Sequence, residues 1–339
     1  MKTIRFGIIG CGVIANVHAS AIALIQDAQL GGVFDYSTAR AEAFAQKWNT
    51  VVYPSYAAML ADRQIDAVII CTPSGLHADQ AVQALRENKH VVLEKPMALS
   101  TADAAKLCRE SELSHHLITV ISQHRFQPDI QRVKELVEQG ALGSIVFCDL
   151  YMKYWRDPSY YAESSWRGTW RMDGGGALMN QGIHGIDLIR YLVGEAKLLR
   201  GRAKTLVHDI EVEDTAAALV EFACGALGVI EASTSAYPGF SRRIEIHGSK
   251  GYATLVDSTL EKLCINGEML VDKNVLPDAG TASDPTQLGH VGHTLQLQNF
   301  VAAVRGEENL LITARDGYEA VSMIEQIYRS SEQSNEVSK

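Results

Sequence analysis

Along roughly the first third of the chain, short apolar runs alternate with stretches in which apolar residues recur at three- and four-residue spacing. The runs Thr3 to Ile9, Gln29 to Phe34, Thr50 to Tyr53, Ala67 to Ile70, His90 to Leu93 and Leu117 to Ser122 predict strands. Helices are predicted between them: from the glycines after Ile9 to about Leu24, then Ser37 to Trp48, Tyr56 to Asp62 and Ala78 to Asn88. This alternation is the mark of βαβ units and a mostly parallel sheet. After a proline-led helix from Pro128 to about Gly140, the pattern changes. Strands over Ile145 to Trp155, Leu198 to Val207, Thr215 to Phe222, Gly225 to Ser233, Arg242 to His247, Tyr252 to Val256 and Lys262 to Ile265 are punctuated by short turns such as Cys224-Gly225. That spacing favours an antiparallel sheet. Leu178 to Val193 carries Met179, Ile183, Ile186, Ile189 and Val193 on one face of a further helix, and helices over Leu295 to Val304 and Ala314 to Tyr328 close the chain. The expectation is an α/β protein with one domain over residues 1–124 and an α+β domain with a large, mainly antiparallel open sheet over 125–339.

The length of 339 residues suits two domains at about 150 residues each. With 47% hydrophobic and 21% charged residues, the composition is that of a globular protein. No segment approaches the roughly 18 uninterrupted apolar residues of a membrane span. Glycines break the first apolar run early, so it is expected to be a strand and not a leader. A net charge of -9 excludes nucleic acid as the main partner. Cys11, Cys71, Cys108, Cys148, Cys224 and Cys264 lie far apart with no C-x-x-C, which predicts buried thiols in a reducing cytoplasm and no metal site. One face of the large sheet is a candidate oligomer interface, and the polar end, Ser330 to Lys339, is expected to fray.

Candidate chemistry begins at Gly10-Cys11-Gly12-Val13-Ile14-Ala15, a G-x-G-x-x-A run between a strand and a helix. In that context Gly10 allows a tight turn, Gly12 lets a pyrophosphate approach the backbone, and the helix start offers unpaired amides. This makes the first domain a Rossmann dinucleotide-binding domain. Asp35 closes the second strand where a carboxylate would meet ribose hydroxyls, which favours NAD over NADP, with Arg40 close enough to blur the preference. Thr72 and Pro73 follow the strand ending at Ile70 and are expected to line the nicotinamide half; Ser74 and His77 line it too or cap the next helix. Glu94-Lys95-Pro96 closes another strand and places an ammonium at the ligand-binding edge of the sheet. In the second half, Asn180, His184 and Asp187 at i, i+4 and i+7 share a polar face of the predicted helix, and Trp166 with Arg167 suits a sugar face and its hydroxyls.

In their order and spacing these motifs, with a Gln-x-Arg-Phe-x-Pro segment at Gln123 and GGGALMNQGIHGID, resemble the Gfo/Idh/MocA oxidoreductases over nearly the whole chain. The resemblance implies NAD(P)-dependent oxidation or reduction of sugars and cyclitols, and a C-terminal sheet used to form a homodimer or homotetramer. It implies Lys95 and His184 as catalytic residues; Asn180 and Asp187 are then expected to orient the imidazole or bind neighbouring substrate hydroxyls, and Trp166 and Arg167 to bind the sugar. Gly10, Gly12, Val13, Ile14, Asp35, Thr72, Pro73, Ser74, His77, Glu94, Lys95 and Gln123 are then expected to face the cofactor. Inositol-dehydrogenase-like members carry an aspartate four residues before the histidine, where this chain has Asn180; a neutral amide orients the ring without stabilising its charge. The wording around Trp166 and His184 is closer to members acting on pyranosides and nucleotide-linked sugars, some at carbon 3. The expected reaction removes a ring-hydroxyl proton to His184 while Lys95 stabilises the alkoxide and hydride passes to nicotinamide. The rival readings are an inositol dehydrogenase, a glycoside-cleaving enzyme that recycles its NAD, and an inactive cofactor-sensing regulator.

Overall fold

In the computed structural model, which describes residues 2–273 and 289–336, the near-continuous apolar runs form a five-stranded parallel sheet. β1 (Ile4–Ile9), β2 (Ala28–Phe34), β3 (Ala67–Ile70), β4 (His90–Leu93) and β5 (Ile118–Val120) stand in the order β2-β1-β3-β4-β5. Alternate residues feed two separate cores. Val68, Ile70, Val91 and Leu93 pack with Met59, Leu85 and Leu107 on one side, while Phe6, Ile8, Ile69 and Val92 pack with Ala15, Ile22, Phe44 and Phe300 on the other. Strands buried on both faces carry no polar alternation, which is why they were visible as solid apolar runs.

The covering helices are α1 (Val13–Ala23), α2 (Thr38–Trp48), α3 (Tyr56–Ala61), α4 (His77–Arg86) and α5 (Thr101–Ser114). Sequence reading passed over α5, although Ser100 caps it by accepting from the Asp103 amide, a signal present in the sequence. The expected strand at Thr50 to Tyr53 is only an isolated bridge between Val52 and Val33. Ser74 and His77 cap nothing: Ser74 opens a short 3-10 turn and His77 is the first residue of α4, whose N-cap is Leu76 without a side-chain bond.

The chain forms two compact units, residues 2–123 with 289–318 and residues 124–273 with 319–336. This corrects the assignment of everything after 124 to the second domain. A helix α9 (Val291–Val304) belongs to the first unit because Leu297, Phe300 and Val301 enter the core around β1, and the buried Gln296 amide bonds the backbone of Val120 and Ser122.

The second unit is an eight-stranded sheet in the order β13-β12-β11-β10-β6-β9-β8-β7. Its strands are β6 (Ile145–Lys153), β7 (Ala196–Lys204), β8 (Thr215–Phe222), β9 (Leu227–Ser233), β10 (Arg243–Gly248), β11 (Gly251–Val256), β12 (Thr259–Ile265) and β13 (Glu268–Asp272). All neighbours are antiparallel except β6 and β9, so the sheet is mixed but mainly antiparallel, as expected. β13 went unpredicted because it is an exposed edge strand with no buried alternation to betray it. α6 (Pro128–Glu138), α8 (Ile183–Val193) and the second part of α10 (Ala314–Glu336) share one core with the sheet, and a short α7 (Pro158–Ala162) precedes the Trp166 segment. Contrary to the expected frayed end, α10 continues through Glu336; residues 337–339 lie outside the described residues. Cys224 is exposed, not buried as expected; all six cysteines are free thiols.

Candidate active site

The first unit offers a cradle for a dinucleotide. Gly10 has φ +88°, and a Cβ there would lie 2.7 Å from the Cys71 carbonyl oxygen, so only glycine permits this turn. Gly12 is the N-cap of α1 with no side-chain cap, and a Cβ on it would meet nothing within 4 Å. Val13 is exposed and Ile14 half-buried beside it. An open, glycine-bare helix start of this kind fits a pyrophosphate. Thr72 and Pro73 stand half-buried at the end of β3, and the Gln123 amide oxygen is buried with no hydrogen-bond partner, a polar atom free for a bound group.

Other expected contacts are already in use within the protein. Asp35 accepts from the Cys11 and Ser37 amides at 2.8 and 2.7 Å and pairs with Arg40 at 2.9 Å, so its carboxylate braces the fingerprint turn. His77 is buried, its ring nitrogens 2.7 Å from the Pro96 oxygen and 2.9 Å from the Thr72 oxygen. It links two turns and does not line an open surface; burial lowers its pKa. Ser74 is buried as well.

Lys95 follows β4, and its Lys95–Pro96 peptide bond is cis. Glu94, expected at the cofactor, is instead buried among histidines. Its Oε1 lies 2.7 Å from Nε2 of His18 in α1, and its Oε2 accepts from the Lys95 amide at 3.2 Å. His293 from α9 stacks edge-on against His18 with centroids 5.3 Å apart. Burial alone would raise the Glu94 pKa, but the His18 hydrogen bond and neighbouring positive charge bring it down to about 2. His293 is itself lowered to about 4 by burial and by His18, so at neutral pH it is uncharged. The three side chains offer ligand-type atoms within 4.8 Å of one another, but the Glu94 carboxylate is already engaged, and the cluster is best described as a hydrogen-bonded brace under Lys95. His18 escaped sequence reading. The signal was a histidine on the buried Ala15, Ala19, Ile22 stripe of α1, which has to find a partner.

In the second unit, α8 begins at Ile183, later than expected. The Gln181 amide bonds the Gly176 oxygen five residues back, and Asn180 lies in this turn, before the helix that carries His184 and Asp187. The turn is tight: a Cβ on Gly176 would sit 2.1 Å from the Glu213 oxygen. Glu213 clamps it by accepting from the Gly176 and Leu178 amides and from the Tyr328 hydroxyl at 3.0, 2.8 and 2.8 Å.

His184 is half-buried at the start of α8. Asn180 is buried; its Nδ2 donates to Asp173 and its Oδ1 accepts from Gln181 at 2.9 Å. A carboxylate thus stands behind the amide that replaces the aspartate of inositol-type members. Asp187 does not present itself to a substrate. It is 3% exposed and held by both arms of the equally buried Arg125, Nε to Oδ2 at 2.8 Å and Nη2 to Oδ1, so its expected substrate-binding role gives way to a structural ion pair. Arg167 stacks on the Tyr160 ring at 4.3 Å and donates to the Tyr160 oxygen, so its guanidinium is partly committed to the loop. Trp166 is half-buried beside it. His124 was missed: its ring meets His184 edge to face with centroids 5.1 Å apart.

Residues 4–122 match a family model described as "Oxidoreductase family, NAD-binding Rossmann fold", and residues 130–254 match the "GFO/IDH/MocA C-terminal domain". A myo-inositol 2-dehydrogenase of Thermotoga maritima is 30% identical over 253 residues, 73% of each chain. A D-glucoside 3-dehydrogenase of Escherichia coli is 27% identical over 97% of this chain and 95% of the other. The crystal structure of the WlbA dehydrogenase from Bordetella pertussis, in complex with NADH and UDP-GlcNAcA, superposes with a TM-score of 0.88 at 32% identity, covering 98% of this chain and 96% of that one. Both halves of the sequence, its two-unit α/β architecture and these relatives agree: the chain belongs to the GFO/IDH/MocA family of oxidoreductases, with an N-terminal NAD-binding Rossmann fold.

Proposed function

We propose that this protein oxidises a ring hydroxyl of a pyranose sugar, glycoside or nucleotide-linked sugar, at carbon 3. The observation that carries the reading is Lys95: a lysine at the carboxyl end of β4, in a parallel sheet whose β1–α1 turn is an open glycine cradle. Bound NAD supplies the hydride acceptor. Gly10 and Gly12 leave room for its pyrophosphate, and the Asp35 charge disfavours a 2'-phosphate, which supports NAD over NADP. Lys95 holds the substrate oxygen and stabilises the alkoxide as charge develops. His184 accepts the hydroxyl proton, a role suited to an imidazole near neutral pH. Asn180, fixed by Asp173 and Gln181, serves substrate hydroxyls as a neutral group, while Trp166 and Arg167 form one wall for the sugar. Carbon 3 and a pyranoside are supported by the D-glucoside 3-dehydrogenase and by the UDP-sugar-bound WlbA structure.

The test is a spectrophotometric screen at 340 nm of methyl glucosides, UDP-sugars, uronates and inositols with NAD. Lys95→Ala and His184→Ala should bind NAD as the parent does and lose at least about a hundredfold in turnover. Full activity in either variant defeats that residue's assignment, and exclusive turnover of inositols would shift the substrate to the cyclitols.

Oligomerisation is proposed through the open sheet face. Phe147 and its paired Leu227, with Leu219 on the next strand, leave 46%, 50% and 65% of their surfaces exposed on the face opposite the core, large apolar side chains that a partner's sheet would cover. Light scattering should give the mass of a dimer or tetramer, and a single-chain mass would refute it. Free thiols and the absence, among the described residues, of a helix long and apolar enough to cross a membrane support a cytoplasmic location.

A further inference from the structure

We propose that His77 is a positioning residue for the oxidation, holding the segment of Lys95 by donating from Nδ1 to the carbonyl of Pro96; the inference rests on the reading of Lys95 as catalytic. The ring is buried at the first position of α4, and both its nitrogens face carbonyl oxygens. Nδ1 lies 2.7 Å from that of Pro96, and Nε2 lies 2.9 Å from that of Thr72. Carbonyls only accept. A neutral imidazole has one N–H, so it can bond one of the two and turns a bare lone pair toward the other. Burial lowers the pKa of His77, with Glu94 and Lys95 acting on it in opposite directions, so at neutral pH the ring is uncharged and serves a single carbonyl. The shorter contact assigns the proton to Nδ1 and the bond to Pro96.

Thr72 has its own hold. Its hydroxyl donates to Gln80 Oε1 at 2.6 Å, and Gln80 stands one turn after His77 on α4, its carbonyl accepting from the buried Tyr56 hydroxyl at 2.6 Å. Lys95 is bracketed instead. Before its Cα the amide donates to Glu94 Oε2 at 3.2 Å, and beyond it the Pro96 carbonyl meets His77. Because the pyrrolidine ring fixes φ of Pro96, a hold on that carbonyl passes back to Lys95 with one soft torsion fewer. One turn of α4 therefore sets two segments at the binding edge of the sheet, Thr72 through Gln80 and Lys95 through His77. Loss of the ring's bond lets the lysine segment shift while Thr72 stays in place, which predicts slower turnover at unchanged cofactor affinity. A displacement of about 1 Å at a reacting group can cost about a hundredfold.

Asparagine and glutamine separate the two contacts, since the amide nitrogen of the first falls where Nδ1 stands and that of the second reaches the place of Nε2. The experiment uses the full chain with NAD and methyl glucoside, and UDP-GlcNAcA as a second probe. His77→Gln should lower kcat by about tenfold to a hundredfold, with KM and the dissociation constant of NAD changed little. His77→Asn should retain most of the parent's kcat, the two variants unfolding at matching temperatures. Two NMR readouts decide the matter without turnover of either probe. The Lys95 amide signal should stay at the parent's position in His77→Asn and move in His77→Gln, and the ring of His77 in the parent at neutral pH should be uncharged with its proton on Nδ1. Equal losses in both variants, a loss that follows thermal stability, a rise in KM alone, or a proton on Nε2 would overturn the assignment. If Lys95→Ala is inactive while His77→Gln turns over as fast as the parent, the lysine stands and only its positioning by His77 falls; if Lys95→Ala is fully active, the catalytic reading itself has failed.

Discussion

Each unit buries a glutamate beside the segment that carries its proposed catalytic residue, and the two glutamates are driven in opposite directions. Glu94 sits under Lys95 with a histidine hydrogen bond and a neighbouring ammonium, and its pKa falls to about 2. Glu213 holds the turn before His184 with at least as many hydrogen bonds, yet burial wins and its pKa is raised. The donors explain the contrast. Backbone amides and a tyrosine hydroxyl bring dipoles but no net charge, which does not offset the loss of water around an anion. A cation does. In the second unit the cation stands elsewhere, at Asp187, whose carboxylate is held by the fork of Arg125.

The largest expected effect is on acid stability. Glu94 is ionised in the folded state down to about pH 2 but protonates near 4.5 when unfolded, so its contribution is present above that value and lost as pH falls from about 4.5 to 2. The shift corresponds to roughly 3 kcal/mol, and Glu94→Gln should flatten that limb of the unfolding free energy measured by urea titration at each pH. An unchanged limb would mean that the cations do not compensate this carboxylate. A smaller effect is expected where a charge is added without a cation. Asn180→Asp removes the donor to Asp173 and sets two carboxylates in contact, which should cost about 2 kcal/mol. Adding Asp173→Asn should restore most of it in a double-mutant cycle; strict additivity would show that the two side chains are independent. The smallest effect is the mirror image of the first. Because the folded pKa of Glu213 is raised, the parent gains stability relative to Glu213→Gln at low pH and loses it as pH climbs through the range above 4.5. The two stability curves should therefore diverge in slope with the sign opposite to that at Glu94, over a constant offset from the Gly176 amide left facing an NH2 group. A slope of the Glu94 sign would overturn the comparison.

Much of the first unit was legible because its signals are local. A glycine turn between strand and helix, an aspartate after β2 and a lysine after β4 each need only neighbours in sequence to be interpreted. The brace under Lys95 was not legible in the same way. His18, Glu94 and His293 come from three distant parts of the chain, and nothing near any one of them names the others. In the second unit, helical periodicity placed Asn180 in one helix with His184, but α8 starts only at Ile183 and Asn180 lies in the turn before it, closed by the five-residue bond at Gln181. Asp187 shows the sharpest limit: the same polar face that suggests a substrate contact is what a buried ion pair requires, and only Arg125 distinguishes them.

By itself the sequence determined most of the strands and helices, that the first sheet is parallel, and which residue types stand at its binding edge, because those follow from period and from steric rules acting over a few residues. The tertiary structure decided which polar side chains keep hydrogen-bonding capacity for a ligand. That depends on the partner brought within about 3 Å, the reach of a hydrogen bond, by the folding of remote segments.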